Sequence, residues 1–406
     1  MTTSPPPAAV ITGIGHIGPL GSGGRDVITA FVHANTTAIG PLAEFPTHRS
    51  TRRLGALIPA SALEPTEEAR RWSRIGHMAV TACRHAVADA GITESNTLHR
   101  FGLVIGSEYG DLQSTEAFDA GFLRRGPRGL SAFLFPNTVM NATAGTVSIA
   151  LEIKGPMLTL NQPGVAGELA VARAIALLEA GRAPAVVACG VDALFPILYE
   201  ALGLLNVPSP RGGGEEACTP FDQRHNGPVM GEGATAVILE TPEHAQARSA
   251  AILAHVRSAH WGGLPARPYR YPSLAQLHHR LLDRTLNAAA VPADAIDVAY
   301  LSGSGDPDQD TIELALMAGI FGTDRPYITS VTHLVGEHGS LGALRVAAAA
   351  MTASSGVMPI LDYLRTPIRH DLRFATQPLP ATPATVLVHG VARGGVQAAL
   401  VVGPAT

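Results

Sequence analysis

The chain has 406 residues, of which 46% are hydrophobic and 15% charged, with a formal net charge of -4. Those values describe a globular chain with a large core and exclude a disordered one. No basic run is present to hold nucleic acid. Three cysteines, Cys83, Cys189 and Cys218, show neither a pairing nor a metal spacing. They fit a reducing cytoplasm, and no metal or cofactor is expected.

Residues 1–7 are polar and Pro-rich and read as a disordered tail without the charged and apolar regions of a signal peptide. No apolar run is long enough to span a bilayer, so no membrane partner is expected. Ala8 to Thr12 is an apolar, β-branched first strand. Gly13-Ile14-Gly15-His16-Ile17-Gly18 after it matches G-x-G-x-x-G. A dinucleotide site would need a helix opening inside the glycines and an acid about 20 residues on. The glycines instead continue to Gly24, and residues 35–40 carry no acid. A glycine-rich turn packed against another backbone explains the run better than a nicotinamide-dependent dehydrogenase does.

Pro41 to Pro65 is an irregular excursion. Glu67 to Ala90 is a helix by its apolar spacing, and Phe101 to Gly106 a buried strand. Asp111 to Arg124 is a helix that places Leu112, Thr115, Phe118 and Phe122 on one face. Pro136 to Leu151 is a helix of small residues.

The centre of the chain is Gly155-Pro156-Met157-Leu158-Thr159-Leu160-Asn161-Gln162-Pro163-Gly164-Val165-Ala166-Gly167. Met157 to Leu160 reads as a buried strand. A turn of Asn, Pro and Gly follows, then an Ala-rich helix from Glu168 to Ala180. Strand, sharp turn and buried helix form a mount for a nucleophile, because a helix N-terminus offers free N–H groups and partial positive charge. The turn itself contains no nucleophile.

Strands at Ala185–Ala188 and Ala234–Leu239 follow, with a Gly-rich segment, Pro208 to Ala217, between them. The second half repeats the pattern. A strand at Val298–Leu301 leads to Ser302-Gly303-Ser304-Gly305 and a helix from Asp308 to Ile320. Next come a strand at Tyr327–Val331 and an Ala-rich helix from Leu341 to Ala353. Two closing strands flank Gly394-Gly395. The repetition predicts an α/β chain made of two similar halves that pack through their central helices, with the break near Glu243 to Ala250.

Several segments together resemble the β-ketoacyl synthase family of the thiolase superfamily. They are Val10 to Gly15 with Gly18-Pro19-Leu20-Gly21, Phe135 to Asn141, Gly155-Pro156, and Thr219-Pro220-Phe221-Asp222 with Met230 to Ala234. Ile320-Phe321-Gly322 and Gly394-Gly395 complete the set. The resemblance implies a duplicated, five-layered α-β-α-β-α thiolase-like fold. It divides the chain into a tail at 1–7, an N-terminal half at 8–247 and a C-terminal half at 248–406.

Active members of the family use a cysteine to carry the acyl chain and two histidines to stabilise the enolate and oxyanion. Counting from the flanking glycines puts the cysteine position at Gly164 and the first histidine position at Ser302. The second histidine position falls at Gly336 and the nearby lysine position at Val331. His333 and His338 flank Gly336, and a shift of that loop returns an imidazole to the pocket. Gln162 lies two residues before the cysteine position. Cys189 reads as a small buried hydrophobe, and Cys218 has no base near it in sequence.

The loss of these groups resembles the cysteine-less chain length factors of type II polyketide synthases. Such a subunit is not catalytic by itself. It pairs with a cysteine-bearing ketosynthase as a heterodimer and works with an acyl carrier protein bearing a malonyl or polyketide chain. Leu112, Thr115 and Phe118 are then candidates to line or gate the tunnel that sets product length. The rival reading is an acyltransferase or condensing enzyme on the same fold with an unconventional site.

Overall fold

The computed structural model describes residues 8–42, 52–63, 66–323, 325–378, 382 and 384–405. The expected tail at 1–7 lies outside them. Eleven strands form one continuous path, in the order 373–374, 327–329, 298–300, 386–391, 396–403, 254–263, 9–18, 233–240, 185–192, 102–107 and 157–161.

The two ends of that path repeat one another. In the N-terminal half, Met157–Asn161, Gly102–Ser107 and Ala185–Asp192 run parallel, and Gly233–Glu240 and Ala9–Gly18 follow antiparallel. In the C-terminal half, Tyr327–Thr329, Val298–Tyr300 and Val386–Val391 run parallel, with Val396–Gly403 and Ala254–Gly263 antiparallel. Three apolar cores correspond to the layers. A central one gathers the inner faces of both halves around helices Ala166–Glu179 and Gly342–Ser355. One outer core lies under helices Arg74–Asp89 and Ala142–Leu151, and the other under Arg280–Ala289 and Pro307–Ala318. This is the α-β-α-β-α, thiolase-like arrangement.

The two central helices touch where neither carries bulk. A Cβ on Gly167 would lie 2.2 Å from the Ala343 nitrogen, and one on Gly190 would lie 2.6 Å from the Ser340 oxygen. Within this contact Glu168 and Arg345, both fully buried, form an ion pair in which Arg345 Nε donates to Glu168 Oε1 at 2.9 Å. A charge removed from water needs such a partner.

Three expectations change. Gly13 to Gly18 is not a turn: Ala9–Gly18 is one strand, buried throughout. Gly13 and Gly15 are small because helix Arg74–Asp89 crosses them, and a Cβ at Gly15 would sit 2.0 Å from the Ala82 oxygen. No turn exists there to cradle a pyrophosphate, so the dehydrogenase reading loses its motif. Met157–Asn161 is not buried: it is the outermost strand of its half, half-exposed along its length. The helix expected from Glu67 begins at Arg74, where the Ser73 side chain accepts the Gly76 N–H. Strand Ala254–Gly263, which joins the two halves, went unrecognised in the sequence.

The helix contact yields a stability test. Arg345→Ala strands Glu168 as an unpaired buried charge and is expected to cost about 3–5 kcal/mol. Gly167→Ala drives a methyl into backbone and should cost about 1–3 kcal/mol or more. Urea unfolding of the three proteins measures both, and changes below about 0.5 kcal/mol contradict the packing described.

Candidate functional site

The turn after the edge strand delivers Gly164 to the mouth of helix Ala166–Glu179 with φ +65, a conformation that disfavours side chains. There is still some room at this point, since a Cβ would meet the Ala392 Cβ at 3.4 Å. The Gly164 N–H does not face empty space. It donates to Glu108 Oε2 at 3.0 Å.

Glu108 is the first residue beyond the buried strand Gly102–Ser107. Its own N–H donates to Asp192 at 3.0 and 3.2 Å, and its carbonyl accepts the Asn161 side chain at 2.6 Å. Asp192 also takes the Ser107 hydroxyl at 2.7 Å and the Tyr109 N–H at 3.1 Å. One carboxylate thus fixes the turn that presents the other.

Glu108, Gly164 and His338 share a cavity of about 40 Å³ with Ser304, Gln309, Glu337 and Arg393. It has room for water-sized groups and none for an acyl chain. Outside it lies a vestibule of about 600 Å³ that includes Leu202, Leu205, Arg211 and Tyr269. Glu108, Tyr109, Pro163, Val207, Tyr271 and Arg393 line both spaces and form the neck between them. Arg393 stacks over Tyr271 at 5.7 Å and reaches Asp306 at 3.4 Å, and Arg211 holds the other Asp306 oxygen at 2.8 Å.

Of the positions picked from the sequence, Gly164 and His338 meet in this cavity. Ser302 does not line it: its N–H donates to Glu313 at 3.0 Å and its carbonyl accepts Thr332 Oγ1 at 2.8 Å. Gly336, at φ +75, packs its Cα against Gly231, and Val331 is fully buried in the central core. His333 faces Tyr363, with ring centres 5.1 Å apart. Gln162 ends short of the cavity, whose wall begins at Pro163. Leu112 packs behind that wall with Tyr109, Tyr199 and Met230. Thr115 Oγ1 bonds the Asp111 carbonyl at 2.9 Å, and Phe118 meets the Phe135 ring at 5.8 Å on the outer side.

Glu108, Arg393, Gln309 and Glu337 were not picked out from the sequence. For Glu108 the available signal was a lone acid at the end of a buried strand. For Arg393 it was a cation in the Gly394-Gly395 turn.

No cysteine lines the cavity. Cys83 and Cys189 lie in the outer core of the N-terminal half, and burial pushes the Cys218 thiol well up. His338 is held neutral, its pKa lowered to about 3 by burial and then by His16 and Arg345. Glu337 is pushed up to about 8 by burial, with neighbouring carboxylates Glu108, Glu168 and Glu313 adding to the shift and Arg345 opposing it.

The buried groups set a pH profile. Burial lowers His16 and His338 to about 3 and His333 and His389 to about 4. The unfolded chain protonates them near 6.5, so their contribution is complete above that pH and is lost as pH falls toward 3–4. Glu337, at about 8, and Asp192 and Glu313, at about 7, act in reverse. Their contribution is complete below about pH 4 and is lost as pH rises through 7–8. Between about pH 4.5 and 6.5 the lowered histidines, which also include His77, His85, His255 and His260, outnumber the raised carboxyls, which also include Glu108 and Asp310. A series of melting temperatures should therefore peak near pH 6.5 and fall on both sides. A steady rise to pH 9 contradicts this.

Comparison with known proteins bears on this geometry. The β-ketoacyl synthase N-terminal domain matches residues 9–245 and the C-terminal domain residues 267–361. Nodulation protein E of Rhizobium meliloti is 30% identical over 369 residues, covering 88% of this chain and 89% of the relative. 3-Oxoacyl-[acyl-carrier-protein] synthase 2 of Coxiella burnetii is 27% identical, covering 88% of each. A β-ketoacyl synthase from Burkholderia phymatum superposes with a TM-score of 0.88 at 25% identity, over 98% of this chain and 100% of that one. The ishigamide ketosynthase/chain length factor gives 0.86 at 23%, over 98% and 99%. With the domain matches spanning most of its length and the duplicated layers in place, the chain belongs to the β-ketoacyl synthase family.

Proposed function

We propose that this chain is a non-catalytic ketosynthase-like subunit, comparable to a chain length factor. It pairs with a cysteine-bearing ketosynthase, and the pair acts on chains held by an acyl carrier protein. One observation carries the reading: the turn at the helix mouth has Gly164 where the chemistry needs a thiol, and no cysteine lines the cavity. Among the described residues Ser304 is the only aliphatic alcohol lining it, beside the phenols of Tyr109 and Tyr271, and it is bonded to Gln309. Covalent acyl transfer needs an activated nucleophile.

An apolar face supports the pairing. Helix Leu112–Arg125, the turn Phe135–Thr138, helix Ala142–Leu151 and strand Met157–Asn161 pack in succession. Across them Phe122, Leu123, Phe133, Phe135, Ile149 and Met157 are exposed. Next to this patch the outermost strand pairs with no other strand on one edge among the described residues. Large exposed apolar patches and open edges mark association surfaces. On this reading Leu112, which packs against the cavity wall, and Thr115 and Phe118 on the same helix shape the tunnel at the paired interface. Among solved neighbours in fold are the ishigamide ketosynthase/chain length factor and the AntDE ketosynthase in complex with its type II polyketide synthase acyl-carrier protein.

The rival reading, unconventional acyl transfer by this chain alone, has His338 in its favour as an imidazole inside the cavity. The two readings separate in one experiment. Co-expressed with a cysteine-bearing ketosynthase encoded beside it, the chain is expected to co-purify as a 1:1 complex and to show no turnover of acyl-carrier substrates when isolated. Phe133→Asp with Ile149→Asp, both at exposed positions, should abolish co-purification without lowering the melting temperature. In the complex, Leu112→Ala or Phe118→Ala should lengthen the product. A stable homodimer that turns over substrate by itself sinks the partner reading.

A further inference from the structure

The missing thiol is not the only change at the helix mouth. An acyl carbonyl attacked at this point would need a hydrogen-bond donor for its developing oxyanion, and the N–H at the turn is the donor a helix N-terminus offers. In this chain that N–H is already taken by Glu108 Oε2, 3.0 Å away. We propose that Glu108 is a built-in occupant of the oxyanion position, which closes the site to acyl groups independently of the absent nucleophile.

Four features show that the occupancy is constructed. The Glu108 backbone is clamped on one side by Asp192 and on the other by Asn161, so its side chain leaves a fixed point. Gly339 makes room for it: a Cβ at 339 would lie 2.2 Å from Glu108 Oε2 and 2.3 Å from its Cβ. Burial pushes the Glu108 carboxyl up, and the Gly164 N–H, Tyr109 and Arg393 oppose that shift, so the groups at the neck are those that hold the acid in place. Finally, with the neck occupied the inner space is only about 40 Å³, while the vestibule outside it is about 600 Å³. The wide part of the pocket stops at Glu108.

This inference stands apart from the partner reading. A chain that pairs with a ketosynthase and one that pairs with nothing would carry the same occupied N–H. The consequence is that Gly164→Cys alone does not recover acyl loading.

The test compares the full-length variants G164C, G164C/E108A and G164C/E108Q, incubated with an S-acyl-N-acetylcysteamine thioester. The introduced thiolate attacks the thioester carbonyl, a new C–S bond forms, and N-acetylcysteamine leaves as its thiol. Intact mass reports the added acyl group, and iodoacetamide reports thiol access. Removing one oxyanion donor typically costs about 100- to 1000-fold, so G164C/E108A should load at least about 100-fold faster than G164C. G164C/E108Q should remain slow, because its amide oxygen still accepts the Gly164 N–H. E108S replaces E108A if that variant melts at a markedly lower temperature. Loading of G164C within about tenfold of G164C/E108A overturns the proposal. So does G164C/E108A that reacts with iodoacetamide but takes no acyl group, or that reacts with neither.

Discussion

The closeness of the two central helices is the constraint on which the rest of the structure depends. Gly167 lets helix Ala166–Glu179 meet the start of helix Gly342–Ser355 at its backbone, Gly190 on strand Ala185–Asp192 leaves room for the same turn, and Gly342 leaves room for the Glu168 side chain. The contact excludes water, so the charges inside it must satisfy one another, and Glu168 pairs with Arg345. Because Gly164 is only four residues before Glu168, the same contact fixes the turn where the cavity begins. The Ala 166 N–H, donating to the Gly339 carbonyl at 3.2 Å, ties that turn to the opposite half. The cavity is therefore built at the seam of the duplication, with residues from both halves.

Much of this frame was legible in the residues. Ala-rich helices following short apolar strands twice over implied two like halves and a close helix–helix approach, and both are present. What failed were judgements that depend on neighbours. Met157–Asn161 has an interior composition but lies at the rim, since among the described residues no strand lies beyond it. Gly13 to Gly18 has turn composition but is extended, since a crossing helix leaves no volume for side chains. Ala254–Gly263 alternates buried and half-buried residues over its first six positions, but His255 and Arg257 on the wetter face masked the period.

At the site, spacing located the helix mouth but not its surroundings. Counting residues around Gly339 and Gly342 could not say which of several side chains turns inward. The positive φ of Gly336 decides it, by directing that residue toward Gly231 and leaving His338 to face the cavity. Glu108 reaches Gly164 across 56 positions of chain, a meeting that appears only when parallel strands Gly102–Ser107 and Met157–Asn161 come into register. The cavity holds a neutral imidazole, carboxyls raised by burial and a donor that is already satisfied.

The fit between Glu108 and Gly339 also makes the two positions interdependent. The carboxylate and any side chain at 339 claim the same volume, with only 2.2 Å between the Glu108 oxygen and a hypothetical Cβ. Bulk at 339 and the acid at 108 exclude one another in this packing. Substitutions at the two positions are therefore non-additive: a side chain at 339 that is destabilising beside the acid becomes tolerable once position 108 is small.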